Sequence, residues 1–202
     1  MSDFDIHAAA TRIRHQYSAR RRQALARRER AQAFGRSLAR FLRAELAQDL
    51  EFIQENYDKN RRMSRRIDTT ESPDEFDYAA LGYTLHNLYN AFEAYFLRVA
   101  KFFENNLDES AWHKSLLDRM TLRVPGIRDA VVDRTLAERL RELMRFRHLF
   151  RNLYKSQLLP DKVTSANGYA EGIAAAFTEH HQRFDVFLAA LADDLRNQDA
   201  GK

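Results

Sequence analysis

Residues 141–154 bring cationic and proton-exchanging side chains together in one short segment, RELMRFRHLFRNLY. On a helix each residue advances by about 100° around the axis. This spacing predicts one apolar face that should form core: Leu143, Phe146, Leu149, Phe150 and Leu153. It predicts a narrow polar stripe on the other side: Arg141, Arg145, His148 and Asn152. A second polar stripe lies at the margin of the apolar face: Arg147, Arg151 and Tyr154.

The side chains of these two stripes suit chemistry on a phosphodiester. An arginine fork donates two hydrogen bonds to one phosphate, and a histidine exchanges a proton near neutral pH. RNA supplies its own nucleophile, the 2′-hydroxyl group. A ribonuclease therefore needs a proton acceptor, arginines that hold the charge developing on the phosphate, and the right geometry. From spacing alone, the alternative is a basic solvated helix with one hydrogen-bonded histidine.

The rest of the chain predicts helices that can position this segment. The helix that carries it should run from about 133 to 155, with Asp133 as its N-cap. The strongest prediction is a central helix over 74–105, because its apolar stripe is wide enough to pack on several neighbours. Ser72 is a candidate cap for that helix, and Pro73 suits its first position. Further helices are predicted over about 36–63, 110–121 and 161–196.

These segments predict an all-α bundle of four to five helices with an Arg-rich N-terminal helical extension. Residues 1–35 are predicted to form a basic helix or arm, which ends at a break near Gly35. Residues 36–202 are predicted to form the helical domain, with Phe41 on its apolar side. His86, within the aromatic central helix, is interpreted as a hydrogen-bonded structural histidine rather than a catalyst.

Composition excludes several classes of site. The chain has no cysteine, which rules out disulfides, thiolate catalysis and cysteine-based zinc sites. It has neither a phosphate loop nor a dinucleotide-binding fingerprint. No apolar run approaches the roughly 20 residues that span a membrane, and the first residues lack a signal-peptide stretch. The chain is therefore predicted to be cytoplasmic.

Charge is distributed unevenly along the chain. Residues 12–43 contain eleven arginines and one acidic residue, a local charge of +10, whereas the whole chain carries +4. Such a block attracts phosphates or an acidic partner. The alternative is a solvated basic arm without a partner.

Three stretches of the chain together resemble one family. They are GYTLHNLYNAFEAYFLRVAKFFENNL at 82–107, SAWHKSLLDRMTLRVPGIRDAVV at 110–132 and LRELMRFRHLFRNLYKSQL at 140–158. In order and spacing they are similar to HepT-like toxins of the HEPN superfamily, over about residues 40–195. That superfamily places an arginine, four to six residues and a histidine on one helix, and the HepT-like branch adds one residue and a tyrosine. Here the pattern falls on Arg147, Asn152 and Tyr154.

The resemblance implies a HEPN-type bundle that dimerises with two motif helices facing each other. It implies a composite site that cuts RNA, commonly tRNA or mRNA, with no metal or other cofactor. It also implies a toxin–antitoxin system in which a small nucleotidyltransferase is the cognate antitoxin. In several such systems the antitoxin attaches AMP to the motif tyrosine, here Tyr154. A bulky anionic group beside an arginine cluster would compete with RNA phosphates.

The sequence departs from the family pattern at Asn152, where the motif has histidine. An amide cannot act as a general base near neutral pH. Either His148 serves instead, since Arg141, six residues and His148 also satisfy the superfamily spacing, or cleavage is lost and binding of RNA or a partner protein remains. We favour His148. The assignment is then Arg147, His148 and Asn152 as catalytic residues, Arg141, Arg145 and Arg151 as phosphate-binding residues, and Tyr154 as the site of AMP modification.

Overall fold

The computed structural model describes the backbone of residues 3–104, 112–152 and 158–200, and the side chains of 26–28, 30–104, 115–152 and 158–194. Six helices lie within those ranges: α1 Asp3–Thr69, α2 Glu75–Phe103, α3 Trp112–Met120, α4 Arg134–Arg151, α5 Pro160–Ala170 and α6 Ile173–Ala200. The one β contact of the described residues is an isolated bridge between Val124 and Arg128. The predicted all-α class is confirmed.

Helix α1 passes through Gly35 without the break that the sequence suggests there. A glycine inside a helix costs about 1 kcal/mol relative to alanine, which weakens a helix without ending it. Phe41 was expected on the apolar side, but its side chain is 70 % exposed. The neighbouring Leu42 takes the buried position, because adjacent residues lie about 100° apart on a helix and only one can face the core.

The chain divides into two compact units. One unit comprises residues 42–187, and the other comprises residues 1–41 together with residues 188–202. Ala39, Leu188 and Ala192 are buried in the second unit. The predicted domain boundary after residue 35 remains a prediction. In the described residues, no helix combines the length and the apolar character needed to cross a bilayer.

The start of α2 is fixed by Asp74 rather than by Ser72. The Asp74 carboxylate accepts hydrogen bonds from the backbone N–H groups of Phe76, at 2.9 Å, and Asp77, at 3.0 Å. The Asp77 carboxylate accepts in return from the Asp74 N–H, which completes a capping box. A carboxylate also interacts favourably with the positive end of the helix dipole, which a serine hydroxyl does less well.

Helix α2 is the central helix, as the wide apolar stripe predicts. Its aromatic side chains are packed against Phe177 of α6 within the larger unit. Ring centroids lie 5.0 Å apart for Phe92 and Phe177, 4.9 Å for Tyr95 and 5.8 Å for Phe96, all in edge-on arrangements. Edge-on packing directs the positive ring edge at the negative ring face, so these contacts favour one arrangement of the core.

The loop between α3 and α4 is held by a buried arginine. Gly126 adopts a φ of 76°, a left-handed conformation that suits glycine, and turns the chain between Val124 and Arg128. The Arg128 guanidinium donates to the carbonyl oxygens of Arg119, at 2.7 Å, and Leu122, at 3.1 Å. These bonds tie Arg128 to the last turn of α3 and to the residues that directly follow it. Asp133 then caps α4 as predicted, accepting from the Leu136 N–H at 2.8 Å.

The predicted helix over 161–196 is interrupted, and α5 and α6 are separate helices. Gly172 lies between them with a φ of 65°, where a residue with a side chain would be strained. The Arg139 side chain of α4 donates to the carbonyl oxygens of Tyr169, at 3.1 Å, and Glu171. Arg139 thereby satisfies carbonyls at the end of α5 and links that end to α4.

Helices α2 and α4 approach closely where Gly82 faces Phe150. A Cβ atom at position 82 would lie 2.7 Å from Cε2 of Phe150 and 3.1 Å from its Cδ2. The Phe150 ring also packs on Phe146 and on the His86 ring, with centroid distances of 5.8 Å in both pairs. The missing side chain at Gly82 therefore determines how closely the last turns of α4 lie against α2.

We expect Gly82→Ala to lower the free energy of unfolding by about 1 kcal/mol. Overpacking costs roughly 1–3 kcal/mol, which exceeds the gain of about 1 kcal/mol in helix propensity. In a Phe150→Ala background the obstructing ring is gone, so the same substitution should be stabilising. Urea denaturation of the four proteins measures both effects, and an identical effect in the two backgrounds would contradict the proposed contact.

Candidate functional site

Helix α4 presents its apolar face to the core over most of its length. Leu136, Ala137, Leu140, Leu143 and Phe146 are buried. The prediction is wrong for Leu149, which is 42 % exposed, and Phe150 is half-buried. The core contacts of α4 therefore decrease over its last turn.

Two predicted residues, Leu153 and Tyr154, lie outside the described residues. The polar residues of α4 that the structure does describe, with Asn152 after them, fall into three environments. Arg147 is held against α2, four side chains lie on the exposed side, and Asn152 caps the helix.

Arg147 is held against α2 by three side chains. Its Nη2 lies 2.9 Å from Oε2 of Glu93, and both side chains are only 13 % exposed. Its Nε donates to Oδ1 of Asn90 at 2.5 Å. Its guanidinium carbon lies 5.7 Å from the centroid of the Tyr89 ring, within cation–π range. Arg147 is therefore a fixed guanidinium whose orientation α2 determines.

The Asn90 side chain extends this network to His86. Arginine has only N–H donors, so Asn90 presents its carbonyl oxygen to Arg147 and its amide N–H groups to His86. The Asn90 Nδ2 lies 2.9 Å from Nε2 of His86. Nε2 therefore accepts, and the proton lies on Nδ1, which is buried and has no hydrogen-bond partner among the described residues.

The surroundings of His86 favour its neutral form, although Glu93 acts in the opposite direction. Burial lowers its pKa, and the positive charges of Arg147 and Arg151 lower that pKa further. The neutral ring is the form that can accept the Asn90 hydrogen bond at Nε2. The contacts agree with the interpretation of His86 as a structural histidine, and they show that the residue it supports is Arg147 through Asn90.

Four predicted side chains lie on the exposed or half-exposed side of α4. Nη2 of Arg141 lies 2.5 Å from Oδ1 of Asp118, and Arg145 pairs with Glu142 one turn earlier. His148 is exposed, and its ring makes no hydrogen bond to another described residue. Arg151 is also exposed and forms no ion pair within the described part of the chain.

Asn152 forms the C-cap of α4. Its Nδ2 donates to the backbone carbonyl of His148 at 2.8 Å, and its backbone N–H donates to the carbonyl of Leu149 at 3.0 Å. The side chain thus satisfies a carbonyl that the helix leaves without a partner. The residue at the position where the family motif has histidine is therefore the C-cap of α4.

Sequence reasoning missed Asn90 and Glu93, although a signal for both was present. His86, Asn90 and Glu93 follow one another at steps of four and three residues, so they share one side of an otherwise aromatic and aliphatic helix. Glu93 is also the single acidic residue between Asp77 and Glu104 in the sequence. A lone carboxylate on a buried stripe requires a cationic partner, because an unpaired buried charge is costly.

His180 and His181 on α6 take no part in the hydrogen bonds that link Arg147, Asn90 and His86. On α6, Nδ1 of His180 lies 2.9 Å from the carbonyl of Ala176, and Nδ1 of His181 lies 3.0 Å from the Tyr95 hydroxyl. Among the side chains that the structure describes, no group of three His, Asp or Glu is arranged to hold a metal ion. The roles predicted from the sequence, proton exchange by His148 and anion binding by the arginines of α4, remain predictions.

Comparisons with known proteins agree with this arrangement. A family model described as HepT-like protein matches residues 80–188, which contain most of α2, the α3–α4 loop and all of α4. No curated protein and no solved structure gives a significant match. The matched segment covers more than half of the chain, so the chain belongs to the HepT-like protein family, with an all-α HEPN-type bundle as its fold.

Proposed function

We propose that this protein is an endoribonuclease toxin of a cytoplasmic toxin–antitoxin system, which cuts RNA at a site formed by two copies of α4. The observation that carries the proposal is the end of α4, where His148 and Arg151 are exposed beside the fixed guanidinium of Arg147. Membership of the HepT-like family makes RNA the expected substrate.

The proposed reaction uses the 2′-hydroxyl of RNA as the nucleophile. Its oxygen forms a bond to the adjacent phosphorus, and the bond from phosphorus to the 5′-oxygen breaks. His148 accepts the proton of the 2′-hydroxyl, and the departing 5′-oxygen takes a proton from the second His148 of the dimer or from water. The products are a 2′,3′-cyclic phosphate and a free 5′-hydroxyl. The two proton transfers, from the 2′-oxygen and to the 5′-oxygen, are of the kind that imidazole performs near neutral pH.

The arginines have distinct parts in this proposal. Arg147 has limited exposure and a fixed orientation, which suits the negative charge that grows on the phosphate oxygens in the transition state. Arg141, Arg145 and Arg151 are more exposed and bind flanking phosphates. Exposed ion pairs are worth about 0–1 kcal/mol, so a phosphate can readily displace Asp118 from Arg141 or Glu142 from Arg145.

A homodimer is part of the proposal because one α4 offers a single His148. Two copies of the helix end would supply two imidazoles and two sets of arginines to one strand.

The cognate antitoxin is proposed to be a small nucleotidyltransferase that attaches AMP to Tyr154. This part rests on the family pattern at Arg147, Asn152 and Tyr154. Mass spectrometry of the co-purified pair tests it by locating the added AMP.

We expect the purified protein to cleave tRNA in the presence of EDTA, and His148→Ala to reduce the rate at least 100-fold. The reduction follows from loss of the proton acceptor, which is typically worth 10²–10⁴ in rate. Gel analysis of end-labelled tRNA gives the rates, and resistance of the new end to phosphatase, lost after the cycle is opened by acid, identifies the cyclic phosphate. No cleavage by the unmodified protein would remove the enzyme proposal.

Two further variants separate the role of His148 from a loss of structure. His148→Gln keeps a hydrogen-bonding side chain but cannot exchange a proton, so it should be as slow as His148→Ala. Asn152→His restores the family pattern and should recover cleavage in the His148→Ala background. Equal rates for the unmodified protein and His148→Gln would assign proton transfer to another group.

We expect Arg147→Lys to lower the cleavage rate about 100-fold and to leave the protein folded. Lysine keeps the positive charge near Glu93 but has no planar fork with which to contact Asn90, Glu93 and a phosphate together. Loss of one preoriented donor costs about 10²–10³ in rate. Arg62→Lys, at an exposed position on α1, is the matched control. A rate unchanged in Arg147→Lys would mean that Arg147 only stabilises the fold.

A second candidate function is a non-catalytic module that binds RNA. The C-cap at Asn152 favours it, because the residue at the family's histidine position is engaged with the backbone of its own helix. In this case the exposed arginines of the basic segment of α1, residues 12–43, would contribute to affinity, among them Arg27, Arg28, Arg30 and Arg40.

We expect substitution of Arg27, Arg28 and Arg30 by glutamine to weaken binding to single-stranded RNA. The slope of log affinity against log salt should fall in magnitude by about 2, since each phosphate contact with a single strand contributes about 0.7. Filter binding at several salt concentrations measures the slope.

The control for this measurement lies on the same helix. Replacing Arg61, Arg62 and Arg65 by glutamine removes an equal charge from the part of α1 nearer its C-terminal end. If both triple variants change the slope equally, the effect is one of net charge, and the segment 27–30 of α1 is not an RNA-binding element.

A further inference from the structure

A groove runs between α4 and α5 beside the proposed cleavage site. Its volume is about 240 Å³. Arg145, Phe146 and Leu149 line it from α4, and Lys162, Ser165 and Tyr169 line it from α5. Pockets for drug-sized ligands usually have about 300–1,000 Å³, so this groove suits a smaller group.

The chemistry of the groove differs between its floor and its rim. Phe146 is only 6 % exposed and forms an apolar floor, whereas Leu149 and Tyr169 are about two-fifths exposed. Arg145 and Lys162 add two positive charges, and Glu142 is the acceptor that pairs with Arg145. An aromatic ring, an apolar floor and two cations within one small groove match a flat aromatic ligand attached to a phosphate.

The Tyr169 ring stands on a fixed backbone. Arg139 of α4 donates two hydrogen bonds of 3.1 Å to the Tyr169 carbonyl and another to the Glu171 carbonyl. Helix α5 ends one residue after Tyr169, so these bonds hold the part of α5 that carries the ring. Because the backbone that carries the ring is held, only the side chain of Tyr169 loses freedom when a ligand stacks on it, which favours binding.

The groove and the cleavage residues share one side chain. Arg145 lines the groove and lies three residues before His148, a rise of about 4.5 Å along the helix axis. A phosphate bound by Arg145 would therefore be close to the one at His148, and the base attached to that nucleotide would be within reach of the groove.

We propose that this groove binds one unpaired base of the RNA, stacked on Tyr169, with the adjoining phosphate bound by Arg145 and Lys162. The inference rests on the proposed function, because it concerns how the same RNA is held. Single-stranded RNA is commonly recognised by stacking its bases on aromatic side chains beside a basic groove. The groove would therefore give the site a preference for unpaired RNA.

Binding of uncleavable RNA tests the groove separately from catalysis. The probes are a 2′-O-methyl RNA decamer, which lacks the nucleophile, and a decamer of the same backbone without bases. Fluorescence anisotropy gives the affinity of each for the unmodified protein, Tyr169→Ala, Tyr169→Phe and Phe52→Ala. Phe52 is an exposed ring on α1 outside the groove, so it serves as the matched control.

We expect the unmodified protein, Tyr169→Phe and Phe52→Ala to bind the base-bearing decamer about tenfold more tightly than the abasic one. Tyr169→Ala should bind the abasic decamer as before and lose most of that difference. Stacking of one base on an aromatic ring is worth this order of affinity by alanine substitution.

Three results would overturn the inference. Tyr169→Ala could keep the full difference, Tyr169→Phe could lose it, or Tyr169→Ala could change only self-association in sedimentation, which would make the groove a protein contact. If the protein shows the expected difference but does not cleave tRNA, the inference about the groove stands and the ribonuclease proposal fails. If the protein binds neither decamer, both fail.

Discussion

The arrangement of the site depends on one half-buried charge, the guanidinium of Arg147. A charge that is 13 % exposed is stable only with compensation, and α2 supplies it through Glu93, Asn90 and the face of Tyr89. The same contacts fix the rotation of α4 about its own axis. With Arg147 turned towards α2, His148 lies about a quarter-turn further round the helix and is directed towards solvent, and Arg151, one turn after Arg147, is also exposed.

Much of the fold follows from local periodicity, which the sequence displays directly. The apolar steps of three and four residues predict α2 and the buried face of α4, because burial on a helix repeats with its turn. Asp133 as a cap was also predictable, since an N-cap bonds only to residues two or three positions away. The same step of about 100° per residue also predicts that Arg145 and His148 lie on the solvated side of α4.

Features that depend on distant neighbours could not be read in this way. Arg147 and Glu93 are 54 residues apart, and nothing local pairs them. The exposure of Phe41 and Leu149 depends on which surfaces other helices cover. The division between α5 and α6 needs both Gly172 and the carbonyl-binding side chain of Arg139, which comes from a different helix.

The bonds from Arg139 to the end of α5 have an evolutionary consequence. They are made to backbone carbonyls, so their formation does not depend on which side chains α5 carries at positions 162, 165 and 169. Those positions can therefore vary between relatives while the spacing of the two helices is preserved. One scaffold could in this way acquire new ligand preferences by exchanging a few surface residues.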